Sequence, residues 1–328
     1  MLKKLRIAVN LFAPIADIFL SIPVFVAASI LKFVRRLGIW RMPISKAIFN
    51  FIGIYPIRDH YYEPSFNHKK YLVHSLRLER NLPGIDINES GQLDWLNQFE
   101  YASELTKIPL NPGANSTFYY GNPNFPEGDA ECLYSMIRLK KPNVIIEIGS
   151  GFSTMMARLA IDQNKKDNLH YNCRHICIEP YEMAWLDEVA GVEVLRQRVE
   201  DVDISIFSML NENDILFIDS SHVIRPQSDV LIECLGILPS LNPGVLIHFH
   251  DIFTPFDYPD HWLLDEVKFW NEQYLLEAFL SCNQKFQVIL ALNFLNAKHR
   301  IKLEEKFPML QKQAQQIDPR SFWILKTS

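Results

Sequence analysis

Apolar residues gather in short unbroken runs through the second half of the chain and in one long run near its start. The short runs are Asn143 to Thr154, which closes in its glycine turn, Arg174 to Pro180, Val192 to Val199, Asp214 to Asp219, Val245 to Asp251, Phe286 to Phe294 and Ser321 to Lys326. Continuous rather than alternating hydrophobicity over four to eight residues predicts strands covered on both faces. Between them lie stretches with helical spacing, of which Gln227 to Leu241 and Trp262 to Leu280 are the clearest, and Gln92 to Lys107 is a helix candidate upstream. Strands alternating with helices imply an α/β fold with a parallel, doubly wound sheet. Seven strand candidates are present.

In such sheets ligands sit outside the carboxyl ends of the strands, so the residues that close each run carry the chemistry. The first run continues E-I-G-S-G-F-S-T from Glu147 to Thr154. Glycine at the end of a buried strand admits a ligand close to the backbone, and the helix that follows offers unpaired N–H groups to an anion. The spacing G-x-G-x-x-T does not complete the G-x-G-x-x-G fingerprint of dinucleotide folds, which turns the reading away from a nicotinamide cofactor. Near the end of the second run Glu179 is placed to accept the two hydroxyls of a ribose. The fourth ends in D-S-S-H, Asp219 to His222, and the fifth in H-D, His250 and Asp251.

Glu147, Gly149 and Gly151 resemble motif I of class I S-adenosylmethionine-dependent methyltransferases. F-I-D-S-S-H and I-H-F-H-D-I-F-T-P-F-D-Y-P narrow the resemblance to the methyltransferase family of domain type 24, over roughly Phe118 to Lys326. W-N-E-Q-Y-L-L from Trp270 and R-D-H-Y-Y-E-P from Arg58 are similar to one branch of it. The resemblance implies a Rossmann-like seven-stranded domain with a helical N-terminal cap, S-adenosylmethionine as cofactor, and a small-molecule acceptor methylated on oxygen; a sugar-type acceptor is the expectation that a membrane-facing segment would suit. Cofactor-facing candidates are then Glu147, Gly149, Ser150, Gly151, Ser153, Thr154, Glu179 and Asp219, and catalytic candidates are Asp219, His222, His250 and Asp251. Related metal-dependent enzymes place oxygen ligands for Mg2+ at the positions of Asp219 and Asp251, which suit a hard cation. The family pattern often has Asn after the second acid; this chain has Ile252.

Methyl transfer from a sulfonium is an in-line displacement, and a hydroxyl acceptor must lose its proton. Two mechanisms are open: a cation bridging Asp219 and Asp251 acidifies the acceptor, or His222 or His250 takes the proton directly. The aromatic stretch Phe253 to Trp262 is either an acceptor wall or a loop pinned into the core, and Phe118 to Glu131 either closes over the cofactor or is a linker.

At 328 residues and 48% apolar content the chain can bury a full core. Five cysteines without C-x-x-C spacing read as core thiols of a reducing cytoplasm. Net charge is −5, yet residues 1 to 60 hold nine Lys or Arg against two Asp, leaving −12 elsewhere. No basic and aromatic stripe reaches the catalytic region, which argues against a nucleic-acid substrate. Phe12 to Leu31 is the most apolar window, flanked by Lys3, Lys4 and Arg6 and by Lys32, Arg35 and Arg36. Its eleven Ile, Leu, Phe and Val residues favour insertion by roughly 3 to 6 kcal/mol, and Asp17 alone costs about 2.5 to 3.5 kcal/mol. Peripheral contact of residues 1–40 with the inner face of an anionic membrane is the expectation, against a helical hairpin packed on protein. The domain reading is 1–55 as a basic apolar segment, 56–112 as a helical cap or linker, and 113–328 as the catalytic domain. Rival readings are an NAD-dependent oxidoreductase, a membrane-attached binding protein without turnover, and a hydroxylase-type enzyme.

Overall fold

The computed structural model describes residues 2–60, 62–113, 118–312 and 318–328, with side chains from residue 12 onward. Tyr61 and the side chains of Lys3, Lys4 and Arg6 therefore lie outside the described set. The chain forms two compact units, Met1–Val73 and His74–Ser328.

In the first unit Leu2–Leu37 is one helix, α1, with Pro14 and Pro23 inside it. By length and composition its stretch Phe12–Leu37 can cross a membrane, with mean hydropathy 2.0 and no buried residue in its most apolar 18-residue window. A second helix, α2, runs over Pro43–Ile52 and stops at Gly53 in the left-handed region, φ 77°. Proline at the first position and glycine just past the last are the usual punctuation of a short helix.

The second unit is built on a seven-stranded sheet. The strands are β1 Val144–Ile148, β2 Arg174–Ile178, β3 Val192–Leu195, β4 Ile215–Ile218, β5 Leu246–Phe249, β6 Phe286–Ala291 and β7 Phe322–Lys326, in the order 3-2-1-4-5-7-6. β1 to β5 are parallel, and β7 inserts antiparallel between β5 and β6. All four residues of β4 and of β5 are buried, the pattern of strands covered by helices on both faces. The order reverses between β1 and β4, so a crevice opens at their carboxyl ends. Helix Phe152–Asp167 follows β1 directly, and Ile146, Phe217, Phe249 and Trp323 are among the buried side chains that fill the centre.

Two helical expectations change. Trp262 to Leu280 is not one helix: a turn at His261–Asp265 gives way to an irregular segment, and helix begins again at Glu272–Leu280. The N–H groups of Asn271 and Glu272 reach the His222 carbonyl at 3.0 and 3.2 Å, so they are withdrawn from helical pairing. Gln92 to Lys107 likewise splits into Glu89–Asn97 and Ala102–Leu105. Lys306 Nζ bonds the carbonyls of Asn97 and Phe99, at 2.9 and 3.0 Å, at that break.

Candidate functional site

The turn after β1 brings three chain segments together. Gly149 adopts φ 79°, and a Cβ there would stand 2.0 Å from the Asp219 carbonyl oxygen, so only glycine lets the ends of β1 and β4 approach this closely. Gly151 is extended at φ −174°, and a Cβ on it would meet open space. Beneath the turn Glu147 is buried, accepting a hydrogen bond from Ser153 Oγ and another from Thr154 Oγ1 at 2.6 Å. Cys177 Sγ and His175 Nε2 approach the same carboxylate at 3.3 and 3.4 Å. The side chains of Glu147, Ser153 and Thr154 thus face inward and bind one another, fastening strand to helix. Ser150 and Gly149 remain partly open, and the Ser150 N–H donates to Glu179 at 3.1 Å. Glu179 takes a second N–H, that of Tyr181, at 2.9 Å, so its carboxylate shapes the rim of the turn.

At the ends of β4 and β5 four side chains converge. His222 Nε2 lies 3.3 Å from Asp219 and 3.6 Å from Asp251, while its Nδ1 is 2.7 Å from Glu272. His250 Nδ1 lies 3.5 Å from Asp219 and 3.6 Å from Asp251, with Asp129 3.6 Å from its other nitrogen. Arg320 Nε pairs with Asp251 at 2.7 Å. Both His222 and Asp251 sit in the left-handed region, φ 60° and 59°. That conformation is costly for non-glycine residues, so their surroundings must enforce it. Asp219, with its side chain 33% exposed, is the member open to a ligand.

Residues 146–252, spanning β1 to the residue after Asp251, match the methyltransferase-domain family. The chain belongs to this family of S-adenosylmethionine-dependent methyltransferases. An uncharacterized protein of Archaeoglobus fulgidus is 34% identical over 182 residues, 52% of this chain and 78% of that protein. Among solved structures, the O-methyltransferase TomG of Streptomyces achromogenes, in complex with SAM and involved in tomaymycin synthesis, is 15% identical. It covers 72% of this chain and 90% of its own, with a TM-score of 0.38. An O-methyltransferase of Bacillus cereus in complex with SAH is 13% identical over 80% of this chain and 95% of its own, TM-score 0.36.

The electrostatics of this methyltransferase follow from crowding acids and imidazoles in a dry corner. Burial opposes charge on Asp219, but the imidazolium groups of His250 and His222 outweigh it and hold the carboxyl well below the usual range. Burial likewise opposes a charge on His222, yet Asp219 and Glu272 raise it well above an ordinary histidine. His250, also buried, is pushed up to about 10 by Asp251 and Asp219. His248, one layer deeper, goes the opposite way through burial and the charge of His250. Hydrogen bonding does not complete the ring: Asp129 Oδ2 and both nitrogens of His250 have no hydrogen-bond partner, while Asp251 Oδ1 has the Arg320 guanidinium as its ion-pair partner.

That shortfall fits a cation. Asp219, His222 and Asp251 each offer one ligand atom, all within 4.8 Å of one another. Asp219 and Asp251 are the hard oxygen donors of this group, and His222, held from behind by Glu272, borders it. Ile252 is buried and apolar, so it supplies no ligand where the family often has Asn.

Glu272, Asp129 and Arg320 were not singled out from the sequence. Trp270 to Leu276 marked the right segment by resemblance, without a role for its acid. Asp129 lies in the stretch read as a cofactor lid; it is buried, with the N–H groups of Arg320 and Ser321 on its Oδ1 at 2.8 and 2.7 Å. Most rings of the aromatic stretch are pinned into the core, while Phe256 stays partly open. Phe253, Tyr258 and Trp262 are buried, Phe253 lies 5.3 Å from Trp262, and Trp262 lies 5.0 Å from Trp270, whose ring lies 4.3 Å from His222. This aromatic wall backs the imidazole.

Proposed function

We propose that this methyltransferase transfers the methyl of S-adenosylmethionine to a hydroxyl oxygen of a small, sugar-type acceptor. The observation that carries this is His222: Glu272 holds its Nδ1, and its Nε2 faces the two strand-end aspartates. The cofactor would lie over Gly149 and Gly151, with its ribose hydroxyls on Glu179, which retains lone pairs beyond its two N–H bonds. Glu147, Ser153 and Thr154 would shape that cradle from beneath. The acceptor oxygen forms its bond to the methyl carbon as the carbon–sulfur bond breaks, S-adenosylhomocysteine departs, and the hydroxyl proton passes to His222 Nε2.

His222 must be neutral to accept that proton, whereas Asp219 and Glu272 favour its charged form. Asp219 and Asp251 would hold a divalent cation such as Mg2+, which when bound polarises the acceptor oxygen and removes the negative field that keeps the imidazoles charged. The two mechanisms read from the sequence are then halves of one. Glu272 is the positioning residue, fixing the ring so that Nε2 faces the aspartates. An open cavity of about 260 Å³ runs along the 253–259 loop, lined by Arg77, Phe253, Phe256, Asn293 and Asn296 among others. Amides, a guanidinium and aromatic rings are groups suited to a polyhydroxylated acceptor. Residues 1–40 would keep this chemistry at the cytoplasmic face of a membrane.

Calorimetry with S-adenosylhomocysteine, with and without Mg2+, tests cofactor and cation together. Labelled methyl transfer to a panel of hydroxyl and amine acceptors then tests the atom. Turnover confined to amines would defeat the oxygen assignment.

A further inference from the structure

The first unit carries apolar surface that a water-soluble protein rarely shows in one place. On α1, Phe19, Ile22 and Phe25 are 78%, 75% and 73% exposed. On α2, Ile44, Ile48 and Phe51 recur at intervals of four and three, so they share one face, and Phe51 is 92% exposed. Trp40, between the helices, is 74% exposed.

The polar residues of α1 are placed just as selectively. Asp17, Ser21, Lys32 and Arg35 fall on one line of the helix, through spacings of 4, 11 and 3. A helix crossing the bilayer would drag Asp17 into hydrocarbon. Lying in the surface with this line toward water, it buries much of its apolar circumference and keeps Asp17, Lys32 and Arg35 hydrated.

Where α1 ends, a cleft of about 670 Å³ opens between its last turns and Pro56 to His60. Lys32, Arg35, Arg36 and Arg58 line it beside Leu31, Ile57 and one carboxylate, Asp59, so cations outnumber acids there. Glu63 spans two of these cations, pairing with Arg35 at 2.7 Å and with Arg58 at 3.1 Å, which organises the guanidinium groups without neutralising the lining. Arg35 Nε is buried with no hydrogen-bond partner. Clustered guanidinium groups next to apolar walls match a phosphate joined to acyl chains.

We infer that α1 and α2 lie in the surface of an anionic bilayer, and that this cleft seats the phosphate headgroup of an anionic phospholipid. The inference rests on the membrane contact proposed above and adds its orientation and its headgroup site.

Flotation of the full-length protein with vesicles of phosphatidylcholine alone, and of phosphatidylcholine mixed with phosphatidylglycerol, separates the parts. The expected result is binding to both, much tighter to the mixed vesicles. Lys32→Gln and Arg36→Gln should each cost about five-fold on the mixed vesicles only, and Phe51→Glu should weaken both. Circular dichroism confirms that these surface variants are folded. A tag placed before Met1 should stay open to protease on sealed vesicles. Equal affinity for both vesicles overturns the headgroup site while the attachment stands; binding to neither overturns both. A protected tag overturns the in-plane orientation. Calorimetric binding of inorganic phosphate without any vesicle preference would make this a free-phosphate site and overturn the lipid assignment.

Discussion

Two stretches of the same sheet edge are built from similar groups and end in opposite states. Under the glycine turn, Glu147 meets Ser153 and Thr154 in direct hydrogen bonds. Next to it, across the close approach of Gly149 to Asp219, the ring of Asp219, His222, His250 and Asp251 is held at 3.3 to 3.6 Å and leaves buried polar atoms unpaired. A carboxylate satisfied by neutral hydroxyls is a fastening. Carboxylates facing imidazoles without bonding them are poised for something further, a proton, a cation or a substrate oxygen.

The sharpest way to break this comparison is to remove the ring. Asp219→Ala and Asp251→Ala should each lower turnover by about a thousand-fold or more, while S-adenosylhomocysteine affinity stays within a few-fold for Asp251→Ala. Near-normal turnover of either variant, with chelator having no effect, would leave the ring a structural feature. Gly149→Ala attacks the junction of the two regions. A Cβ at that positive φ would stand 2.0 Å from the Asp219 carbonyl oxygen. The substitution should cost about 2 to 5 kcal/mol of stability, read as a fall in denaturation midpoint. An unshifted midpoint would mean that β1 and β4 can part without loss.

Glu272→Gln and Glu147→Gln form a matched pair, one acid from each region. Losing the charge behind His222 should slow turnover about 10- to 100-fold with cofactor affinity unchanged, whereas Glu147→Gln should cost about 1 to 2 kcal/mol of stability and spare turnover at saturating cofactor. Reversed outcomes would exchange the roles assigned to the two regions. The smallest effect is on pH dependence. His250 is raised to about 10, so its contribution to stability is fully present below about pH 6.5 and is lost as pH climbs toward 10. Melting temperatures should therefore decline from pH 7 to 10, and His250→Gln should flatten that decline. Parallel slopes for the two proteins would show that the charge on His250 adds nothing to the fold.

Much of this was readable in the chain alone. Unbroken apolar runs marked the strands, since each strand's burial is written in four to eight consecutive residues. Glycine spacing marked the turn, and D-x-x-H with H-D marked the ring, because both motifs are compact in the chain. The aromatic wall and the partners behind the histidines were not readable in this way. Glu272 lies 50 positions from His222, and Asp129 and Arg320 come from opposite ends of the domain. The break at 266–271 depends on a carbonyl at His222 that no local pattern announces.

What the residue order determined by itself was the set of strands, the glycine turn and the chemical types at the strand ends, all products of short-range spacing and burial. Tertiary structure alone decided that β7 runs antiparallel between β5 and β6 and that Glu147 turns inward to bind its own helix. It also decided that His222 is gripped by an acid from a later helix. Such choices are made by which distant groups must be satisfied once the sheet closes water out, and that competition exists only in the folded state.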